Sequence, residues 1–346
     1  MDERLIRQIY LRLGDKVSRD IFSKRLLYSI TQDQEYICKM VMSIPEGQMF
    51  YEKLDYASKQ GGIVIFGAGV WGQDLYKMTY DYPWKSFIDS NPNREEFEGI
   101  PVVNFSEFIN NYNNETVVIS SRLYYKEMYT QLLQSGISPH KILNAGSILD
   151  NLSKKQYFDL EELKLDKEET FVDAGSFDGM TSVYFNELCK GTDEDIKVKV
   201  FAFEPDDKNA EKCHTNLVTH NIQHNIIKKG LWNEEKVLHF KMVANGSSTV
   251  NADGEDHIEV TTLDKAMDGE KVTFIKMDIE GSELNALMGA NNIIIKNKPK
   301  MAISIYHKPE DIWEIPKIIL EYNPDYRLYL RHYSLTDYET VLYAIN

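Results

Sequence analysis

Three clusters of carboxylates and glycines in the second half of the chain could bind a nucleoside. Asp173 ends an apolar stretch and is followed by Gly175 and Gly179. Glu204 ends the next apolar stretch, and Asp278 ends a later one. If these stretches are parallel strands of one sheet, their carboxyl ends line a common crevice. A crevice walled by carboxylates favours a nucleoside that carries positive charge over one that carries phosphate.

The cationic nucleoside that fits this pattern is S-adenosylmethionine, which has a sulfonium, an ammonium and no phosphate. We expect Asp173 to act on its methionine end, directly or through the glycine loop. Glu204 has two carboxylate oxygens and could accept both ribose hydroxyls. Capping of helices is the simpler alternative for both acids. The residues predicted to bind the cofactor are Asp173, Gly175, Ser176, Asp178, Gly179, Glu204, Pro205, Leu231, Trp232 and Asp278.

Leu231 and Trp232 enter this prediction because they follow the third strand of the domain. In such folds this position usually lies beside the adenine, so either side chain could pack on the base. A buried core tryptophan is an equally good interpretation of Trp232.

A second glycine loop, Gly67-Ala68-Gly69-Val70-Trp71-Gly72, has the G-x-G-x-x-G spacing of dinucleotide sites. It follows an apolar stretch, and Asp89 ends the next strand about 20 residues later. The glycines would let the backbone approach a pyrophosphate, while Asp89 would accept a ribose hydroxyl. Alternatively, the glycines only permit a tight turn between strand and helix.

Three segments of different patterning position these loops. Residues 1–60 indicate helices that pack or dimerise. Residues 61–148 alternate strands and helices as a small, half-Rossmann-like domain. A linker at about 144–168 leads into an α/β domain, 149–346, in which we expect an inserted hairpin at about 236–262. Its other predicted strands are 170–174, 199–204, 225–229, 272–278, 300–306, 326–331 and 340–345. The last two are too close for a helical crossover, which predicts a mostly parallel sheet ending in an antiparallel hairpin.

Four stretches of the second domain resemble the FkbM family of S-adenosylmethionine-dependent methyltransferases. They are 171–181, 203–205, 262–264 and, most specific, Lys276-Met277-Asp278-Ile279-Glu280-Gly281-Ser282-Glu283. The resemblance covers roughly residues 155–346 and implies the Rossmann-like fold of class I methyltransferases. Because the family includes O-methyltransferases of sugar and polyketide hydroxyls, it also implies oxygen as the acceptor atom. The glycine-rich unit before it resembles the small Rossmann-like domains that accompany sugar-modifying enzymes.

A sugar hydroxyl is a poor acid, so its methylation calls for a general base or a metal. We predict His307 as the base, since its ordinary pKa lies near neutrality, and Asp278 as the second catalytic residue. An exposed loop histidine is an equally good interpretation of His307. Glu280, Tyr306 and His332 are predicted to contact the acceptor. We expect no metal, although Asp278 with Glu280 or His307 could hold a magnesium ion.

Two further charged positions have ordinary structural explanations. Glu280 and Glu283 begin a predicted helix, where a carboxylate interacts favourably with the helix dipole. Lys276 shares a strand face with Asp278 and could pair with an acid instead of touching a substrate. Neither explanation requires a role in catalysis.

The composition excludes some partners. A formal net charge of −15 argues against nucleic acid, because binding a polyanion requires Lys and Arg, and against anionic membranes. The three cysteines, Cys38, Cys189 and Cys213, lack metal or redox spacing and favour a reducing, cytoplasmic compartment. The first residues have no signal-peptide core, and no segment reaches the roughly 18 apolar residues of a membrane span.

The sequence therefore predicts a cytoplasmic enzyme that methylates a hydroxyl of a glycan, a nucleotide-linked sugar or a related small molecule, with a homodimer as one open arrangement. The first rival is a nucleotide- or NAD-dependent sugar-modifying enzyme that uses the stretch from Gly67 to Asp89. The second is a non-catalytic interaction protein whose fold senses the nucleoside.

Overall fold

The computed structural model describes residues 2–242, 248–250 and 256–346 of the chain. Its helices, numbered in chain order, are α1 (Glu3–Arg12), α2 (Lys16–Thr31), α3 (Gln34–Val41), α4 (Pro45–Ser58), α5 (Val70–Met78), α6 (Phe105–Asn110), α7 (Tyr125–Gln134), α8 (Ala145–Lys155), α9 (Met180–Thr192), α10 (Asp207–Thr219), α11 (Leu263–Ala266), α12 (Glu283–Met288), α13 (Asn291–Asn297) and α14 (Asp311–Tyr322). Among the described residues, none of these helices has the length and apolar character to cross a membrane.

The strands, numbered in the same way, are β1 (Ile63–Phe66), β2 (Trp84–Asp89), β3 (Glu96–Phe97), β4 (Ile100–Asn104), β5 (Thr116–Ile119), β6 (Ile142–Asn144), β7 (Glu168–Ala174), β8 (Lys197–Phe203), β9 (Gln223–Ile227), β10 (Gly230–Leu231), β11 (Lys236–Met242), β12 (Ser248–Val250), β13 (Asp256–Thr261), β14 (Phe274–Met277), β15 (Lys300–Ser304), β16 (Arg327–His332) and β17 (Thr340–Ile345). The chain divides into two compact units. The first comprises Met1–Ser29, Gln156–Arg331 and Glu339–Asn346, and the second comprises Ile30–Lys155 and His332–Tyr338.

The main sheet of the first unit has the strand order β16-β17-β15-β14-β7-β8-β9. Strands β15, β14, β7, β8 and β9 run parallel to one another, and β17 is antiparallel to β15. This arrangement confirms the predicted Rossmann-like sheet, mostly parallel with an antiparallel strand near one edge. The carboxyl ends of β15, β14, β7 and β8 consequently lie side by side.

The centre of this sheet is buried on both faces, which explains why its strands are largely apolar, with the paired Asp173 and Lys276 as exceptions. An aromatic cluster packs α9 onto it: the ring of Phe171 on β7 stacks on that of Phe185 on α9 with centroids 4.3 Å apart, and the ring of Phe274 on β14 lies 5.2 Å from Phe185. Such pairs stabilise a core beyond the area they bury. The cluster therefore anchors α9 against β7 and β14 at the centre of the sheet.

Helix α1 and most of α2 belong to the first unit. The turn between these two helices contacts the edge strand β16 of the main sheet. Gly14 donates its N–H to the Leu328 carbonyl at 2.8 Å, and Leu330 donates its N–H to the Ser18 hydroxyl at 2.9 Å. Asp15 pairs with Arg331 at 2.7 Å. Helices α3 and α4 belong to the second unit. The helical segment 1–60 is thus shared between two units, a difference from the predicted division at residue 60.

The second unit contains a sheet in the order β3-β4-β2-β1-β5-β6, parallel except for the short edge strand β3. Helix α8 follows β6, so the linker predicted at about 144–168 is wrong over its first part. The Asn144 side chain caps this helix by accepting the N–H of Ser147 at 2.8 Å, and Ile148, Leu149 and Leu152 are buried. The polar residues that indicated a linker form the exposed face of an amphipathic helix.

The predicted insertion at about 236–262 forms a small sheet of its own in the first unit, in the order β10-β13-β11-β12. Strand β11 is antiparallel to both β12 and β13, which confirms the predicted antiparallel pairing. The predicted turns at Asn245-Gly246 and Asp253-Gly254 lie outside the described residues.

Candidate active site

The glycine loop after β7 lies across the carboxyl ends of β7 and β8. Gly175 and Ser176 donate their N–H groups to the Phe203 carbonyl at 3.0 and 3.2 Å. Gly175 has φ +73°, and a Cβ there would come within 1.9 Å of the Asp278 carbonyl oxygen. Gly179 has φ +78° and faces the Cys213 thiol. Both glycines are therefore required by the backbone path, which brings the loop against the end of β14.

Asp173 is fully buried beneath this loop and paired with Lys276. Its carboxylate lies 3.1 Å from the Lys276 ammonium and accepts the Ser182 hydroxyl at 2.7 Å. The ammonium also donates to the Gly175 carbonyl at 2.7 Å. Asp173 therefore lies beneath the loop, and Lys276 pairs with an acid as its strand position suggested. The action of Asp173 on a cofactor stays a prediction. Capping is excluded for Asp173, because the N-cap of α9 is Gly179.

Glu204 at the end of β8 ties together the loops that follow β7 and β8. One oxygen accepts the Phe177 N–H at 2.9 Å, and the other accepts the Asp206 N–H at 3.0 Å. Burial raises the pKa of this carboxyl against the effect of those two hydrogen bonds. Each oxygen keeps a lone pair for a further donor. Helix α10 is capped by Asp206, so capping is also excluded for Glu204.

The remaining predicted cofactor residues differ in exposure. Leu231 is buried in β10, whereas Trp232 is half-buried with the Lys236 ammonium 5.2 Å from its ring centroid. Asp178 accepts the Met180 N–H at 3.1 Å at the beginning of α9. Pro205 directly follows Glu204 and is half-buried. Trp232 is therefore the member of the Leu231-Trp232 pair that has side-chain surface to offer a ligand.

His307, which follows β15, lies among three carboxylates. Its Nε2 is 3.5 Å from Asp278 Oδ1 and 3.6 Å from Glu280 Oε2, and its Nδ1 is 3.0 Å from Glu283 Oε1. Burial alone would lower the pKa of His307, but the close contact with Glu283 and the charges of the three acids outweigh it and raise the pKa to about 9. The side chain is only 10% exposed, so the alternative of an exposed loop histidine is wrong.

Two tyrosines hold Asp278 in place. The Tyr157 hydroxyl donates to Asp278 Oδ2 at 2.7 Å, and the Tyr306 hydroxyl donates to Oδ1 at 3.3 Å. The Tyr306 ring also lies against the imidazole of His307, with centroids 4.2 Å apart. Tyr157 is 5% exposed and has φ +73°. It falls within the predicted linker, where no spacing or motif marked it as a site residue.

Glu280 and Glu283 differ from the prediction that both begin a helix. Helix α12 begins at Glu283, whereas Glu280 precedes it in the left-handed region with φ +55°. Burial raises the pKa of the Glu280 carboxyl, and its side chain remains 40% exposed. Glu283 is completely buried and accepts the Ile279 N–H at 2.8 Å. A favourable helix dipole does not account for a carboxylate with no access to water.

Asp278, Glu283 and His307 are also the residues that could hold a metal ion, since each places a ligand atom within 4.8 Å of the other two. A protonated imidazole in the same place supplies one positive charge to the three acids. Glu283 Oε2 and both ring nitrogens of His307 are buried without a hydrogen-bond partner among the described residues. The expectation of no metal stays a prediction.

His332 is the last residue of β16, is 2% exposed and is grouped with the second unit. Its predicted contact with the acceptor stays a prediction.

The other glycine loop, in the second unit, is closed by its own contacts. A Cβ on Gly72 would come within 1.9 Å of the Gly67 carbonyl, and Gly67 has φ +110°. Asp89 accepts the N–H of Ala68 at 3.1 Å and that of Asn91 at 2.9 Å. The backbone path alone therefore explains why Gly67 and Gly72 are glycines. Gly69 faces open space.

Comparison with known proteins gives the family of this domain. Residues 173–334 match the family model described as the methyltransferase FkbM domain. The chain is similar to the crystal structure of a methyltransferase FkbM from Methylobacillus flagellatus KT, with 20% identity and a TM-score of 0.52 over 87% of this chain and 99% of that chain. At this identity the likeness shows the fold alone.

A second solved structure, of a candidate rRNA-methylase from Clostridium thermocellum, shares 16% identity with a TM-score of 0.33 over 58% of this chain and 93% of that chain. No curated protein matches the chain. The resemblance noted in the sequence is confirmed by the family model, and the chain carries a methyltransferase FkbM domain at residues 173–334.

Proposed function

We propose that this domain transfers a methyl group from S-adenosylmethionine to a hydroxyl of a sugar, either in a glycan or linked to a nucleotide, or of a related small molecule. The observation that carries the proposal is the acid cluster around His307. It lies at the carboxyl edge of the sheet, where the carbonyl of Asp278 touches the glycine loop after β7. Carboxylates at this edge suit a cofactor that is cationic at sulfur.

The cofactor would lie along the glycine loop. Glu204 would accept its ribose hydroxyls with the lone pairs left by Phe177 and Asp206. The buried pair of Asp173 and Lys276 would fix the loop from below, since the ammonium holds the Gly175 carbonyl. Trp232 would offer its ring to the adenine. Each residue thus has a role that its contacts permit.

The chemistry is a displacement at the methyl carbon. His307 Nε2 would take the proton of the acceptor hydroxyl as its oxygen bonds to the methyl carbon. The bound cofactor would supply that methyl group and leave as S-adenosylhomocysteine, with the electrons of the broken carbon–sulfur bond on sulfur. Asp278, held by two tyrosines, and Glu283 stabilise the imidazolium that results. Alignment of oxygen, carbon and sulfur supplies several kcal/mol of the barrier, about 7 or more in well-oriented reactions. Glu280 and Tyr306 are proposed to contact the acceptor.

A pKa near 9 for His307 means that the free enzyme holds it protonated at neutral pH. A sulfonium bound in the same crevice would repel that charge and favour the neutral base. We also propose a cytoplasmic location, as expected from the cysteines, and a small-molecule acceptor as the partner. The dinucleotide rival would use the other glycine loop, where Asp89 accepts the N–H of Ala68, and the NAD arm of the calorimetry below tests it.

Titration calorimetry tests the cofactor assignment. We expect S-adenosylhomocysteine to bind, and Glu204→Ala to weaken it roughly 10- to 100-fold, since hydrogen bonds to a charged group contribute about 1.5–3 kcal/mol. The matched control is Glu211→Ala, an exposed acid on α10, which should bind normally. NAD binding that disappears in Gly69→Val, without binding of S-adenosylhomocysteine, would support the first rival. Cofactor binding without methyl transfer to a panel of sugar hydroxyls would contradict the catalytic part.

A further inference from the structure

Phe177 is an aromatic residue at a backbone position that does not suit one. It lies in the glycine loop between β7 and α9, two residues after Gly175, and its φ is +48°. In this left-handed region a bulky side chain is disfavoured, and glycine or asparagine is the usual residue. Residues held in such strained conformations cluster at sites where a ligand binds. The position therefore calls for a reason that is specific to the ring.

Packing of the Phe177 ring within the protein supplies little of that reason. The side chain is 52% exposed, so the ring is not part of the core. The ammonium of Lys212 on α10 lies 5.8 Å from the ring centroid. Lys212 is itself exposed, and a cation–π contact at an exposed site contributes only weakly. An asparagine at position 177 would relieve the strain and lose little contact.

The backbone of Phe177 is held by the same acid that is proposed to bind the ribose. The Phe177 N–H donates to Glu204 Oε2 at 2.9 Å, and Glu204 Oε1 accepts the Asp206 N–H at 3.0 Å. The contact with Lys212 places the ring on the side of the loop that faces α10. A ribose whose hydroxyls reach the Glu204 carboxylate would therefore come next to Phe177.

We propose that Phe177 is a binding residue for the nucleoside of the cofactor, with its ring covering the ribose that Glu204 holds. The inference rests on the proposed function and names one wall of its cofactor crevice. Contact with the ribose would bury the exposed part of the ring, and this burial would offset the strain of the loop. An apolar ring offers no hydrogen bond to a phosphate, so the same wall favours a nucleoside without one.

The test replaces Phe177 by Asn, which removes the ring and tolerates the left-handed backbone. We expect the dissociation constant of S-adenosylhomocysteine in titration calorimetry to rise about 5- to 20-fold, since roughly half of a phenylalanine side chain is no longer buried on binding. The midpoint of urea denaturation should stay unchanged or rise, because the strain is relieved. Phe177→Tyr keeps the ring and should bind as the wild type does.

The opposite directions of these two effects identify the role of the ring. A residue that only shaped the loop would weaken binding and lower stability together. The matched control is Val218→Ala, because Val218 is an apolar side chain of α10 that is 54% exposed. This variant should bind S-adenosylhomocysteine normally. Unchanged affinity in Phe177→Asn, or a lowered urea midpoint, would overturn the proposal.

A second measurement observes position 177 directly. The fluorescence of Phe177→Trp, after subtraction of the wild-type spectrum, should shift to shorter wavelength when S-adenosylhomocysteine is added, because the ring leaves water. A difference spectrum that does not move on saturation with S-adenosylhomocysteine would also overturn the proposal. A wild type that does not bind S-adenosylhomocysteine would instead overturn the cofactor assignment itself. Failure of the ring contact and failure of the proposed function therefore give different results.

Discussion

The buried pair of Asp173 and Lys276 should be the most sensitive charged contact of the fold. Lys276→Met removes the ammonium but leaves an aliphatic chain of similar length. The Asp173 carboxylate then stays at 0% exposure with the Ser182 hydroxyl as its remaining donor. Breaking a buried ion pair by removing one partner costs about 3–5 kcal/mol, because an uncompensated charge remains inside. The glycine loop also loses the bond to the Gly175 carbonyl.

We therefore expect Lys276→Met to lower the free energy of unfolding of the first unit by about 3–5 kcal/mol, measured by urea denaturation. The matched control is Lys197→Met. Lys197 pairs with Glu168 across the other ends of β7 and β8 at 3.9 Å, and both side chains are 81% exposed. An exposed pair contributes about 0–1 kcal/mol, so this variant should be nearly neutral.

The double variant Asp173→Asn/Lys276→Met separates charge from packing. It removes the unpaired carboxylate and should recover part of the loss relative to Lys276→Met alone. A cost below about 1 kcal/mol for Lys276→Met, or a double variant less stable than the single by the full cost of Asp173→Asn, would refute the reasoning. In either case the pair would not be what holds the loop.

Three further outcomes follow from the site. The pKa of His307 is raised from 6.5 to about 9, so the imidazole stays protonated below that pH. We therefore expect kcat/KM to rise with pH through a midpoint near 9. A profile that is flat from pH 6 to pH 10 would contradict the role of His307 as base. Tyr157→Phe removes the 2.7 Å hydrogen bond to the Asp278 carboxylate and should lower kcat about 10-fold or more in steady-state assays. An unchanged kcat would show that Asp278 does not need this hydrogen bond. Gly175→Ala would place a Cβ within 1.9 Å of the Asp278 carbonyl. We expect this variant to lose binding of S-adenosylhomocysteine in calorimetry, and retained affinity would show that the loop can move.

The sheet could be predicted from sequence because its strands are apolar on both faces and each one ends at a distinctive residue. Asp173, Glu204 and Asp278 all mark carboxyl ends, and parallel pairing alone brings such ends together. The positions of these acids along the chain do not determine which side of the sheet edge each acid faces. Asp173 points beneath the loop to Lys276, and this depends on how deeply the strand is buried.

Residues brought in by tertiary packing could not be predicted. Tyr157 reaches Asp278 from a segment 121 positions away, and no local pattern records such a contact. Glu283 was interpreted as a helix-terminal acid because its position along the chain is sufficient for that explanation; its complete burial and its contact with His307 appear only once α12 is packed. Helix α8 was missed because its large buried apolar residues, Ile148, Leu149 and Leu152, lie among polar ones.

The central claim is that the crevice beside Asp278 binds a nucleoside that is positively charged at sulfur. Equilibrium dialysis with S-adenosylmethionine labelled in the methyl group measures this directly. The account predicts that the label is retained by the protein, is displaced by S-adenosylhomocysteine, and is not displaced by NAD. Equal concentrations of label on the two sides of the membrane, or displacement of the label by NAD, would contradict it.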